Sequence, residues 1–129
     1  MADIRTVTLR EIEQITNATC DKPKVITWHG KRIHINPLLS FKEVFELVDS
    51  VMSECVNPDD QIIILESVDF VLKSKLLEKY TGIILSGDLD TQYRVVYGSD
   101  IIDTVFSNVN QAQLSNLKNV LSAYTGMNL

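Results

Sequence analysis

The chain is poor in the residues that staple, ligate or catalyse: two cysteines, two histidines, three prolines and five glycines in 129 residues. Cys20 and Cys55 show no paired spacing, so no disulfide framework is expected. A chain of this length buries roughly two thirds of its unfolded surface and can fold without one. Both thiols are expected to be reduced and partly buried. Structural zinc sites usually present ligands in pairs about two to four residues apart. Cys20, His29, His34 and Cys55 are scattered instead, which argues against a metal centre. No G-x-x-x-x-G-K-[ST] or G-x-G-x-x-G loop occurs, so no phosphate cradle is expected. No apolar run approaches the roughly 18 residues that span a bilayer. The first twenty residues carry charges and no apolar h-region, so no secretory signal is expected and the chain is placed in a cytoplasm.

The charge is present but divided. The formal net charge is −5. Residues 1–36 carry six bases against four acids, giving +2, so the remainder sums to −7. An acidic body lacks the clustered Lys and Arg that release counterions from a phosphate backbone. Nucleic acid is therefore not an expected partner, and protein is. No repeat or low-complexity run appears, and composition is that of one globular domain over 1–129.

Residues 4–9, Ile-Arg-Thr-Val-Thr-Leu, are β-prone and form a candidate short strand, while Glu11–Ile15 suit the start of a helix. Residues 17–23, polar and Pro-terminated, read as a loop. Together, 1–23 form an N-terminal segment whose structure these signals leave open. Lys24–Trp28 and Lys31–Ile35 flank His29-Gly30, a two-residue hairpin loop. In that register Ile26, Trp28, Ile33 and Ile35 share an apolar face, and Thr27, Arg32 and His34 share a wet one. Ser40 and Glu43 then form a capping box, with Leu39 and Val44 at staple positions. The following helix carries Phe41, Val44, Phe45, Val48, Val51, Met52 and Cys55 at steps of three and four, the expected inward stripe.

Asn57-Pro58 should stop that helix, and Asp59 or Asp60 should cap the next. Val68, Val71, Leu72, Leu76 and Tyr80 keep helical spacing, with lysines in the last turns and Thr81-Gly82 as terminator. Asp88 caps a short helix carrying Leu89, Tyr93, Val96 and Tyr97 to Gly98. Ser99 caps another, with Ile101, Ile102, Val105, Phe106 and Val109 facing inward. Asn110 and Gln113 resemble a second capping box, and the last helix runs through Leu114, Leu117, Val120, Leu121 and Tyr124 to Gly126. The expected fold is α+β: a hairpin at 24–35, with 4–9 as a candidate third strand, packed on about five amphipathic helices over 40–126.

Four constellations offer chemistry. A Cys55–His34 nucleophile pair is conceivable, but a core thiol and a solvated imidazole explain the same residues. Asp88-Leu89-Asp90 opens like a calcium loop, yet Tyr93 and Ser99 stand where the loop needs glycine and glutamate. Asp100 and Asp103 lie one turn apart, where a helix dipole accounts for them. Lys24, Lys31 and Arg32 around Trp28 suggest a stacking surface, but the register turns Trp28 away from Arg32. The expectation is a protein with no catalytic residue, cofactor or metal.

Trp28-His29-Gly30-Lys31-Arg32-Ile33 through Ser40-Phe41-Lys42-Glu43-Val44, and Tyr80-Thr81-Gly82-Ile83 through Gln92-Tyr93-Arg94-Val95-Val96-Tyr97-Gly98-Ser99-Asp100-Ile101, carry a resemblance. With the Asn110–Leu114 stretch, they are similar to small proteins encoded in phage and prophage structural-gene clusters of Gram-positive bacteria. The resemblance spans about 100 residues from Lys24 onward, leaves out the first twenty-three, and rests on caps and turns. It implies a minor virion or tail-assembly protein of the host cytoplasm, or of the virion itself, working by protein contact. A homo-oligomer is compatible with it. The alternative expectation is a phage-encoded inhibitor of a host protein such as a defence nuclease, steered by the acidic body. The surface expected to make contact includes Tyr93, Arg94, Tyr97 and Asp100, with Phe106 nearby, and Arg32 and His34 on the hairpin. Tyr93 and Phe106 read equally well as core. Ile26, Trp28, Phe45 and Val48 are expected to point inward.

Overall fold

The computed structural model describes residues 6–55, 65–126 and 129. Among these, six helices and one hairpin follow in the order α1 (Leu9–Thr19), β1 (Lys24–Trp28), β2 (Lys31–Ile35), α2 (Phe41–Cys55), α3 (Leu65–Thr81), α4 (Leu89–Gly98), α5 (Ile101–Phe106) and α6 (Gln111–Thr125). The fold is α+β, as expected. The stop at Asn57-Pro58, the cap at Asp59 or Asp60 and the Ile62–Ile64 run lie outside the described residues.

The hairpin has the expected register, pairing Lys24 with Ile35, Ile26 with Ile33 and Trp28 with Lys31. Its turn residues both have positive φ, 48° at His29 and 74° at Gly30, the pattern of a two-residue turn that matches strand twist. Ile33 and Ile35 are buried, Ile26 and Trp28 half-buried, and Val25, Thr27, Arg32 and His34 exposed. One face is apolar and covered; the other is wet.

The N-terminal segment corrects the expected third strand. Residues 6–8 form no strand, and Leu9 already belongs to α1. Thr8 and Glu11 make a reciprocal capping box: the Glu11 N–H donates to Thr8 Oγ1 at 3.2 Å, and the Thr8 N–H donates to Glu11 Oε1 at 3.3 Å. That local capping outweighs the β-prone composition and carries the helix through Asn17–Thr19, which had read as loop. The expected part of the strand at residues 4 and 5 lies outside the described residues.

In α2 the Ser40–Glu43 box is present, with bonds of 3.1 and 3.2 Å. The inward stripe is not the expected one. Leu47, Val51 and Cys55 are buried, whereas Phe41 is 87% and Phe45 66% exposed. Steps of three and four from Phe41 trace an arc wider than one buried face, and the partner helix covers only its Leu47 side. Val44, Val48 and Met52 are half-buried along its margin.

α3 is the central element, packing against α2, α4, α5 and β2. Val68, Leu72, Leu76 and Tyr80 are buried at steps of four, the expected stripe, with Leu77 buried beside it and Val71 half-buried. Lysines on α3 reach acids on α2: Lys75 Nζ to Glu54 Oε1 at 2.9 Å and Lys79 Nζ to Glu46 Oε2 at 3.1 Å. Ile101, Ile102, Val105, Val109, Leu114, Leu117 and Leu121 close the core from the C-terminal side. Val120 is half-buried and Tyr124 exposed, so the expected inward set of α6 ends at Leu121. Gly126, at φ 71°, terminates α6 as expected.

The segment joining hairpin to α2 is held by backbone and side-chain bonds. The Asn36 N–H donates to Tyr80 O at 2.7 Å, and the Asn110 N–H to Pro37 O at 2.8 Å. Asn110 accepts the Gln113 N–H at 2.8 Å, half of the expected box. The Gln113 amide turns elsewhere. Its Oε1 accepts the Leu39 N–H at 2.9 Å and its Nε2 donates to Leu39 O at 3.0 Å. The Tyr80 hydroxyl donates to the same Oε1 at 3.3 Å. One glutamine thus clamps the entry to α2 onto α3 and α6.

Candidate recognition groove between α3 and α4

Tyr93 and Tyr97 sit one turn apart on α4, so both rings leave the same face of that helix. Phe70 of α3 meets them. Its ring centroid lies 6.0 Å from Tyr93 with planes 28° apart, and Tyr93 lies 4.7 Å from Tyr97. These are the spacings at which aromatic quadrupoles attract. Asp69 and Lys73 frame the cluster: the Tyr97 hydroxyl donates to Asp69 Oδ2 at 2.5 Å, and Lys73 Nζ lies 3.0 Å from the same oxygen. That ammonium also stands 4.9 Å over the Tyr97 ring, within cation–π reach.

Beside the cluster runs a groove of about 530 Å³ between α3, the 82–88 connector and α4. Phe70, Val71, Ile84, Leu85, Leu89 and Tyr93 make it apolar, and Glu54, Lys75 and Glu78 lie on its rim. Asp88 fixes where α4 starts by accepting the Thr91 N–H at 2.7 Å, which places Leu89 and Tyr93 along the groove. That bond also holds the Asp88 carboxyl below the usual range. The volume falls within the roughly 300–1,000 Å³ of clefts that enclose a ligand.

Tyr97 and Lys75 are each held in one state. Burial and then the Asp69 hydrogen bond push the Tyr97 phenol up. The Glu54 hydrogen bond raises the Lys75 ammonium. At neutral pH Tyr97 donates and Lys75 stays charged, so neither is poised as a base. The surface can grip apolar and aromatic side chains and orient them with a charged rim.

No family model, curated protein or solved structure matches the chain. The groove is read from its own chemistry.

Of the residues expected at a contact surface, Tyr93 and Tyr97 are brought together. Arg94 is exposed on the same helix, and Phe106 is half-buried against the core. Arg32 and His34 lie on the outer face of the hairpin, apart from the cluster. Asp100 belongs to a different contact at the hairpin tip. It accepts the Trp28 indole N–H at 2.8 Å, and His29 Nε2 lies 3.6 Å from the same oxygen. The Trp28 bond, with a smaller part from His29, holds the Asp100 carboxyl below the usual range. Asp100 precedes α5 without capping it through its side chain; Ser99 Oγ accepts the Ile101 N–H weakly, at 3.4 Å.

Phe70, Ile84 and Leu85 belong to the groove but carry no sequence signal for it, since their meeting is tertiary. Asp69 and Lys73, four apart on α3, were legible as a helix pair. Cys55 is buried on α2 and His34 exposed on β2. Among the described residues, no group of three His, Cys, Asp or Glu side chains could hold a metal. No helix among them is long and apolar enough to cross a membrane.

Proposed function

We propose that this protein acts by non-catalytic protein–protein contact, with the α3–α4 groove as its recognition surface, in the assembly of a phage virion or as a minor component of one. One observation carries the contact reading. An apolar groove is bordered by a Phe70–Tyr93–Tyr97 aromatic cluster in which both tyrosines stay exposed. Aromatic anchors beside a pocket and a polar rim are the features that dominate protein interfaces. The phage setting is supported by the resemblance of the Lys24–Leu129 motifs.

The acid excess over residues 37–129 favours a second reading, an inhibitor that docks on a basic host protein. A photo-crosslinking residue at position 93, in cells that make the protein, separates the two, with position 32 on the outer hairpin face as control. Capture of a virion or assembly protein from position 93 alone, and its recovery with this chain at fixed stoichiometry in purified particles, is the expected result. Capture of a host protein early in infection selects the inhibitor. Equal or no capture from both positions overturns the contact reading.

A further inference from the structure

The open end of the hairpin and the end of α3 border a second cavity, of about 340 Å³. Its lining differs in kind from that of the α3–α4 groove, whose rim carries both signs of charge. No described acid lines it, whereas Lys24, His34 and Lys79 do, together with the amide of Asn36. Among the described residues, the side chains of Lys24, His34 and Asn36 make no hydrogen bond or ion pair. All three carry N–H donors.

The charge at this corner is not balanced from within. On α2 and α3 each described lysine pairs with an acid, but Lys42 and Lys79 share one, Glu46, at 3.9 and 3.1 Å. One carboxylate thus answers two ammonium groups, and Lys24 adds a third. Asp21, the acid nearest Lys24 in sequence, accepts the Asn110 side-chain amide at 3.0 Å instead. The lining keeps an excess of positive charge.

A helix C-terminus normally repels an anion, because its last carbonyls carry partial negative charge. At the end of α3 those carbonyls are already accepting. Leu77 O takes the Thr81 hydroxyl at 2.6 Å, Glu78 O the Gly82 N–H at 2.6 Å, and Tyr80 O the Asn36 N–H at 2.7 Å. What the cavity still offers is donors.

We propose that this cavity binds a small oxyanion, a phosphate or carboxylate group. The Lys24 ammonium is its principal contact, Lys79 supplies further charge, and the His34 and Asn36 N–H groups complete the shell. Hydrogen bonds to an ionised group are about twice as strong as neutral ones. The volume lies at the small end of ligand clefts, which suits a small ligand. A long polyanion is disfavoured by the acidic remainder of the chain. The proposal stands apart from the reading of the α3–α4 groove.

Inorganic phosphate and citrate, each titrated into the isotope-labelled full chain at constant ionic strength, test it. The backbone amide resonances of Lys24, His34, Asn36 and Gly82 should move together on one saturating curve by about 50 mM. Saturation by either anion supports the site, and the tighter one assigns its class. Lys24→Gln should weaken binding about 5-fold or more, the loss of one charge-assisted contact. Lys31→Gln removes the same charge at the other end of the strands, about 13 Å away, and should change it less than about 2-fold. Asn36→Asp keeps the backbone bond to Tyr80 but sets a carboxylate in the cavity, and should abolish saturation. Wild type that saturates with neither anion overturns the proposal. So does an equal loss in Lys24→Gln and Lys31→Gln, which would mark the response as general surface charge.

Discussion

Replacing Gln113 by alanine should cost more than its half-exposed position suggests. The side chain makes two short bonds to the backbone of buried Leu39, 2.9 Å from its N–H and 3.0 Å to its carbonyl, and accepts a longer one, 3.3 Å, from buried Tyr80. A typical bond contributes a net of about 1 kcal/mol, and a buried group left without its partner costs about 1–3 kcal/mol. Partial entry of water to the Leu39 backbone tempers the second figure, so Gln113→Ala should lose about 3 kcal/mol. In a domain of this size that lowers Tm by about 10 °C. Urea unfolding, with the m-value checked for constancy, measures the loss directly. Tyr80→Phe removes only the long bond and should cost less than about 1 kcal/mol, and exposed Asn116→Ala should stay within about 0.5 kcal/mol of wild type. If Gln113→Ala also falls within about 0.5 kcal/mol, the clamp contributes nothing and its role in fixing the start of α2 is wrong.

Within α2, Leu47→Ala should cost about 2–5 kcal/mol, while Phe45→Ser should stay within about 0.5 kcal/mol; equal losses in thermal melts would restore the Phe41–Phe45 stripe as core. Burial pushes the Tyr80 phenol up to about 12 from an ordinary 10.0. A raised folded value stabilises fully below the unfolded one, so this contribution should fade as pH rises from about 10 through 12. Tyr80→Phe should flatten that alkaline arm of a stability–pH curve, and an unchanged arm would exclude Tyr80 as its source. The depressed Asp100 carboxyl works in the opposite direction: its contribution is present above the ordinary carboxylate range and is lost as pH falls below it. The Trp28 indole N–H resonance should report that titration, shifting at a pH under the usual carboxylate midpoint, and a midpoint at or above the usual one would remove the Trp28–Asp100 bond from the picture. His29→Asn should leave the hairpin intact and gain up to about 0.5 kcal/mol, because asparagine tolerates positive φ better. A clear loss in melting temperature would assign His29 a stabilising role beside Asp100.

Elements written in local chemistry were legible. The His29-Gly30 turn fixes the hairpin register, Ser40 with Glu43 starts α2, Asp88 starts α4, and Gly126 ends α6. What the sequence hid was set by tertiary choice. In α2, the seven apolar residues of the expected stripe span an arc broader than the buried face, and packing on α3 and α6 selects Val51 and Cys55 from them together with Leu47, which that stripe left out. The Thr8–Glu11 box was as readable as the Ser40–Glu43 one, but the β-prone run at 4–9 masked it. In the groove, Tyr93 and Tyr97 were legible as a helical pair on an expected contact helix. Phe70 was not, because nothing local links residue 70 to residue 93. Asp100 read as a dipole partner in a first helical turn, yet its carboxylate serves Trp28, seventy-two positions away.

If the α3–α4 groove is a recognition surface, another protein covers Tyr93 and its neighbours in the cell. Photo-crosslinking from position 93, with position 32 on the outer hairpin face as control, measures that cover. Capture of a protein from position 93 alone is the predicted result; equal capture, or none, from both positions would contradict it.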